Sequence, residues 1–313
     1  MHKAIKKTRS SKLVWFFCYL SAEEEGFEPP ERCRSTVFKT AAIDHSAIPP
    51  LGIQRYNSFA KLQKNCDLCH IVLASMKKVL ILLSLLVSAS LWAQKPQTYF
   101  SIDDMPDLVK CLPAPPDTVG SDFDHDVLRY MWGKKMRADS LRAAMAERDA
   151  IWDLDTLAAI FSEPFGMKIS PKVTPEIYQA FVRGIATIEL IRIRPKAHFR
   201  RIRPFVRYDE HMLTSWEEDE LRGEGSYPSG HTIRGWSAAL ILSEINPDAA
   251  EALFARGWAY GESRVIVGAH WQSDVDASRP AASIGYSFLQ TSLAWRSQML
   301  LAKAELARLT KSR

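Results

Sequence analysis

The sequence predicts an all-α domain, and three observations point to it. From Asp122 onward, apolar residues recur at spacings of three and four. Ala, Leu, Arg and Glu are frequent in the same segments. No run of alternating residues is joined by Asn-Gly or Asp-Gly, the usual mark of a β-hairpin. The segments expected as helices are about 122–149, 151–162, 174–192, 194–203, 232–246, 248–260 and 271–309. Pro280 falls inside the last of these, where it removes a backbone donor. It is expected to kink or split that helix near Arg279. No internal repeat or low-complexity tract interrupts the pattern.

What precedes the helices divides into three parts. Residues 1–75 show no clear period and are expected to be a mis-assigned or disordered extension. Their stretch Glu25–Arg34 is similar to peptides spuriously translated from transfer-RNA genes. Residues 76–93 read as a signal peptide: a basic start at Met76-Lys77-Lys78, an apolar run from Val79 to Val87, then small residues up to Ala93. The apolar run falls short of the ~20 residues a comfortable membrane span needs. Residues 94–121 are rich in Pro and Asp, with Leu112-Pro113-Ala114-Pro115-Pro116, and read as an extended arm. The helical domain is then 122–313, exported to the periplasm or the medium.

Charge and cysteine usage narrow the function. The chain of 313 residues has a formal net charge of +5. The first 93 residues hold 13 basic and 7 acidic side chains, whereas the remainder holds 28 and 29. A near-neutral domain lacks the surplus of cations that displaces counterions from nucleic acid. Cys66, Cys69 and His70 match a haem-attachment pattern, but they precede the export signal. Only Cys111 lies beyond Ala93, so the exported domain is expected to form no internal disulfide.

Three clusters bear chemistry. The first is Lys196, six residues, then Arg203-Pro204. The second is Pro228-Ser229-Gly230-His231. The third is Ser263-Arg264, five residues, His270, three residues, Asp274. A phosphate group needs cations and N–H donors around its oxygens. Lys196 and Arg203 are seven apart, so a helix would project both from one face. Arg264 adds a third cation, and arginine can grip phosphate with two parallel bonds. Gly230 lets backbone N–H groups approach an anion, Ser229 offers a hydroxyl, and the helix starting near Thr232 aims its dipole there. Asp274, four residues after His270, can meet it on a helix face and fix its tautomer.

Other residues read as structural. Arg200 and Arg201 are expected as surface charges, Ser263 as a local cap, and Trp236, Trp258 and Trp271 as core. The acidic run Glu217–Glu220 reads as a solvated loop, with a place beside the substrate as the alternative. Asp276 is spaced less well than Asp274 for His270. No ligand cluster such as H-E-x-x-H is present, so neither metal nor other cofactor is expected.

Taken together and in this order, the clusters resemble the phosphatidic-acid-phosphatase type 2 superfamily, which also includes vanadium haloperoxidases. Gly225–Thr232 (GSYPSGHT), Arg201–Phe205 and Gly268–Asp276 are similar to class A bacterial non-specific acid phosphatases. The resemblance covers roughly Leu112 to the C-terminus. It implies a helical bundle and hydrolysis of small phosphomonoesters, with a broad substrate range and a homo-oligomer as further expectations. It also implies that His270 attacks phosphorus and that His231 serves as general acid and then base. Such a pair should give a bell-shaped rate profile with an acid optimum. A haloperoxidase-like oxidoreductase and a lipid phosphate phosphatase are the other activities that share this pattern.

Overall fold

The computed structural model describes residues 96–311. The expectations for residues 1–75 and 76–93 lie outside the described residues. Among the described residues every regular element is helical. The α-helices are α1 Leu108–Cys111, α2 Ser121–Met136, α3 Ser140–Asp149, α4 Leu154–Phe165, α5 Pro175–Ile188, α6 Ile193–Phe199 and α7 Pro204–Tyr208. They continue with α8 Glu218–Arg222, α9 Gly230–Ile245, α10 Ala250–Ile266, α11 Gln272–Leu289 and α12 Leu293–Lys311. Single 3₁₀ turns lead into α6, α8 and α10.

Side-chain caps explain where several helices begin. The expected segment 122–149 is two helices, because Asp139 accepts from the N–H groups of Leu141 and Arg142 and starts α3. Asp153 caps α4 through Thr156 N–H, and Gly166, with φ of 85°, ends it. The segment expected over 194–203 stops at Phe199. Arg200 takes a left-handed conformation with φ of 45°, and the chain then runs extended to Pro204, the first residue of α7. Proline disfavours helical backbone in the residue before it, which is why Arg203 is extended.

Pro280 does not split its helix. α11 continues through it, and the break comes at residues 290–292, before Ser292 caps α12. The proline ring is exposed, and only one donor is lost, so water can serve the Asp276 carbonyl.

α9 is the centre of the bundle. Ile233, Ala238, Ala239, Ile241 and Leu242 are fully buried, and α5, α10 and α11 pack around it. A helix apolar on most faces belongs in a core. The arm before α2 is irregular except for α1, yet it is not detached. Met105, Leu108 and Leu112 join the main core, and Tyr227 Oη donates to the Pro113 carbonyl at 2.6 Å. No helix among the described residues is long and apolar enough to cross a membrane.

Candidate active site

The three clusters meet at one end of α9. Lys196 comes from α6, Arg203 from the extended stretch before α7, Gly230 and His231 from the first turn of α9, and Arg264 from the end of α10. His270 sits in the turn between α10 and α11, and Asp274 in the first turn of α11. That turn doubles back: Ala269 N–H and His270 N–H both donate to the Arg264 carbonyl. Gly268 takes a φ of 87° there, which other residues rarely adopt. Ser229 N–H donates to the Asp274 carbonyl at 3.4 Å, and Ser278 Oγ donates to the Ser229 carbonyl at 3.0 Å. The second and third clusters are therefore tied by main chain.

A cavity of about 70 Å³ lies among them, large enough for one tetrahedral anion. Its walls include Lys196, Arg203, Gly230, His231 and His270. Arg264 is fully buried beside these residues, and its charge acts on both imidazoles. Its Nε has no acceptor in the protein. Ser229 is the N-cap of α9. Its hydroxyl accepts from Thr232 N–H and Thr232 Oγ1, which leaves its own hydrogen to donate. Gly230 sits in a close approach: a Cβ there would come within 2.9 Å of Arg192 Cδ and 3.3 Å of the Trp152 ring, and those side chains would have to give way.

The hydrogen bonds fix the tautomers of both histidines. His270 Nδ1 donates to Asp274 Oδ2 at 3.3 Å, while Arg203 Nη1, which can only donate, lies 3.1 Å from His270 Nε2. Nε2 thus carries the lone pair. His231 Nε2 faces the Ala150 carbonyl at 2.9 Å, an acceptor, so Nε2 carries hydrogen and Nδ1 is the nitrogen left for other partners. Burial, then Arg203, Lys196 and Arg264, push the His270 imidazole well below the ordinary histidine range. Burial and Arg264 do the same to His231, against the Ala150 carbonyl. Burial and the neighbouring Arg203 lower Lys196 to about 7.

Several sequence expectations need correction. Lys196 and Arg203 do converge, but not from one helix face, because α6 ends at Phe199. His270 precedes α11, so it meets Asp274 across a turn and not along a helix. Arg201 is not a surface charge. Its guanidinium donates to Asp274 Oδ1 at 2.5 Å, Asp126 Oδ2 at 2.6 Å and Ser273 Oγ at 2.7 Å. The run Glu217–Glu220 is not simply solvated: Glu217 pairs with both terminal nitrogens of Arg264 at 3.0 and 3.2 Å, and Glu218 is buried. Trp258 is 52% exposed, under the Arg279 guanidinium, and Trp236 is half-buried; only Trp271 is core. Ser263 is structural as expected, hydrogen-bonded to Asp149, and Asp276 pairs with Arg279 and Gln272, away from His270.

Arg201, Asp126, Glu224, Arg192 and Trp152 were absent from the sequence-derived site, and Glu217 entered only through the alternative of a loop beside the substrate. For Arg201 a signal existed. Pro204 demands extended chain before it, and extended chain alternates faces. Arg201 and Arg203 therefore point inward together while Ile202, 59% exposed, points out.

Comparisons with known proteins cover most of the chain. Residues 178–298 match the family described as PAP2 superfamily. The chain is 38% identical to a non-specific acid phosphatase of Providencia stuartii over 219 residues, 69% of this chain and 88% of that protein. It is 36% identical to a non-specific acid phosphatase of Salmonella typhimurium, covering 72% of this chain and 90% of the relative. An acid phosphatase of Zymomonas mobilis is 37% identical over 62% of this chain and 73% of its own length. With these matches and the three clusters gathered about one cavity, the chain belongs to the PAP2 superfamily, among the bacterial non-specific acid phosphatases.

Proposed function

We propose that the chain is an exported acid phosphatase that hydrolyses phosphate monoesters through a phosphohistidine at His270. The observation that carries this reading is the polarity of His270: its protonated nitrogen is on Asp274 and its lone pair meets the Arg203 fork beside Lys196. A nucleophile and an anion cradle share one small cavity. Arg264 Nε, buried and without an acceptor, is a further donor that a phosphoryl oxygen could satisfy.

The first step forms a bond from His270 Nε2 to phosphorus as the ester P–O bond breaks. His231, protonated, gives the Nδ1 proton to the leaving oxygen. Lys196, Arg203, Arg264 and Ser229 hold the equatorial oxygens, helped by the N–H groups of Gly230 and His231, which have no intrahelical partner. In the second step water attacks phosphorus, neutral His231 takes its proton, and the N–P bond breaks, with its electrons returning to Nε2. Inorganic phosphate leaves and His231 is again protonated.

The mechanism needs His231 charged and His270 neutral. Their environments hold both below the usual histidine range, so rate should peak on the acid side. It should fall again toward lower pH as His270 takes a proton. Lys196 adds an alkaline loss: its charge is present below about pH 7 and disappears as pH rises through that value. Profiles of kcat/KM for p-nitrophenyl phosphate against pH, for the native chain and Lys196→Arg, test this. The arginine variant should keep more of its activity above neutrality. An identical alkaline limb in both would remove Lys196 from the account.

Export is the reading of Met76–Ala93, with residues 1–75 outside the working enzyme. A broad range of small phosphomonoesters fits a cavity that grips the phosphoryl group and leaves the rest of the substrate outside.

A further inference from the structure

The donors that would grip a phosphoryl group are already in contact with carboxylates from one short strap, residues 215–225. Glu224 Oε2 lies 3.0 Å from Arg203 Nη2 and 3.4 Å from Lys196 Nζ, while Oε1 lies 2.9 Å from Arg192 Nη1. Glu217 holds Arg264 in the same way. A carboxylate offers two oxygens to an arginine fork, as a phosphate does.

The main chain keeps Glu224 in place. Its carbonyl accepts from Arg203 Nε at 3.0 Å, the next carbonyl accepts from Lys196 Nζ at 2.6 Å, and Ser226 N–H donates to the Arg201 carbonyl at 2.9 Å. The Glu224 Cα therefore cannot withdraw without dismantling the cradle. Its side chain can turn outward, since it is 41% exposed and also lines the open basic groove beside the cavity. Glu217 differs: it is 12% exposed, its partner Arg264 is fully buried, and it serves as a fixed counter-ion. Burial raises the Glu224 carboxyl, but Lys196, Arg192 and Arg203 outweigh it and hold the group below the usual glutamate range. It stays anionic where the enzyme works.

Resting on the phosphatase reading, we propose that Glu224 is a built-in competitor for the phosphoryl group. An incoming phosphate must take the Arg203 and Lys196 donors from this carboxylate, and the carboxylate returns as inorganic phosphate departs. The residue weakens the hold on substrate and product alike and shortens the stay of the product, which would otherwise occupy a site built of buried cations.

The test compares the native chain with Glu224→Gln, Glu224→Asp and the control Asp219→Asn. Asp219 is exposed in the same strap and its substitution makes the same charge change as Glu224→Gln. Inhibition of p-nitrophenyl phosphate hydrolysis by inorganic phosphate gives Ki, and calorimetric titration with inorganic phosphate gives affinity without turnover. Glu224→Gln should tighten Ki about tenfold and lower KM in the same sense, since charge-assisted bonds to the donors are freed. Glu224→Asp, which keeps the charge but shortens its reach, should tighten Ki by less, and Asp219→Asn should leave it unchanged. Equal or weaker phosphate binding by Glu224→Gln would overturn the proposal, as would an equal tightening by Asp219→Asn. A native chain that binds phosphate but hydrolyses no phosphomonoester would instead defeat the phosphatase reading, with the calorimetric comparison still deciding the role of Glu224.

Discussion

Asp274 is shared by three donors, and that sharing sets the state of His270. Trp271 N–H and His270 Nδ1 bind Oδ2, while Arg201 holds Oδ1 and also bridges to buried Asp126. An unshared carboxylate would stabilise a charged imidazole and raise its pKa. Arg201 opposes that pull, and the Ser226 carbonyl is the group that raises the ring against burial and the cations around it. Arg203, Lys196, Arg264 and neighbouring His231 bear on the ring from the other sides. Replacing Arg201 with Gln should therefore move the acid limb of kcat/KM to higher pH, with loss greater on the acid side than near neutrality. Arg201→Lys should keep the limb closer to the native position. A uniform loss at all pH values would assign Arg201 to structure alone.

At the scale of elements, the site depends on where helices stop. α6 ends at Phe199, Arg200 turns the chain, three residues follow, and α7 begins at Pro204. That break, not a helical period, aims Arg201 and Arg203 at His270 and its carboxylate. The spacing of Lys196 and Arg203 was legible in the sequence, and so was their convergence with the histidines. The reason for it was not, because a seven-residue interval fits two helical turns as well as it fits the break that Pro204 imposes. Pro280 teaches the reverse: an exposed proline in a helix held by α5 and α9 costs one hydrogen bond and no break. The start of α9 is equally constrained. Gly230→Ala would bring a Cβ against the Arg192 and Trp152 side chains, so that either they or the first turn that presents His231 must move. Its kcat/KM should fall by about 10²-fold, as for other small misplacements of catalytic groups. The fold should remain, as circular dichroism would show. Native activity in that variant would mean that the first turn tolerates the shift.

Over the whole molecule, the all-α class and most helix positions were legible because buried faces impose a 3.6-residue period. The arm was not, since proline-rich sequence has no period to betray burial. Its residues Met105, Leu108 and Leu112 nevertheless enter the same core as α5 and α9. Leu108, fully buried, should cost about 2–5 kcal/mol when changed to Ala. Urea unfolding of the variant measures this, and a cost near zero would make the arm an appendage. Glu224 escaped the sequence reading for another reason: nothing in a lone glutamate tells whether its carboxylate faces water or a cation.

The central claim is that His270 Nε2 attacks phosphorus. The direct measurement is rapid denaturing quench during p-nitrophenyl phosphate turnover, followed by mass spectrometry of the His270 peptide. His231→Ala should accumulate the intermediate, because p-nitrophenol leaves with little protonation while the water step loses its base. The account predicts a phosphoryl group on His270, absent from His270→Ala. Turnover with no covalent phosphate, or with phosphate on another side chain, would contradict it.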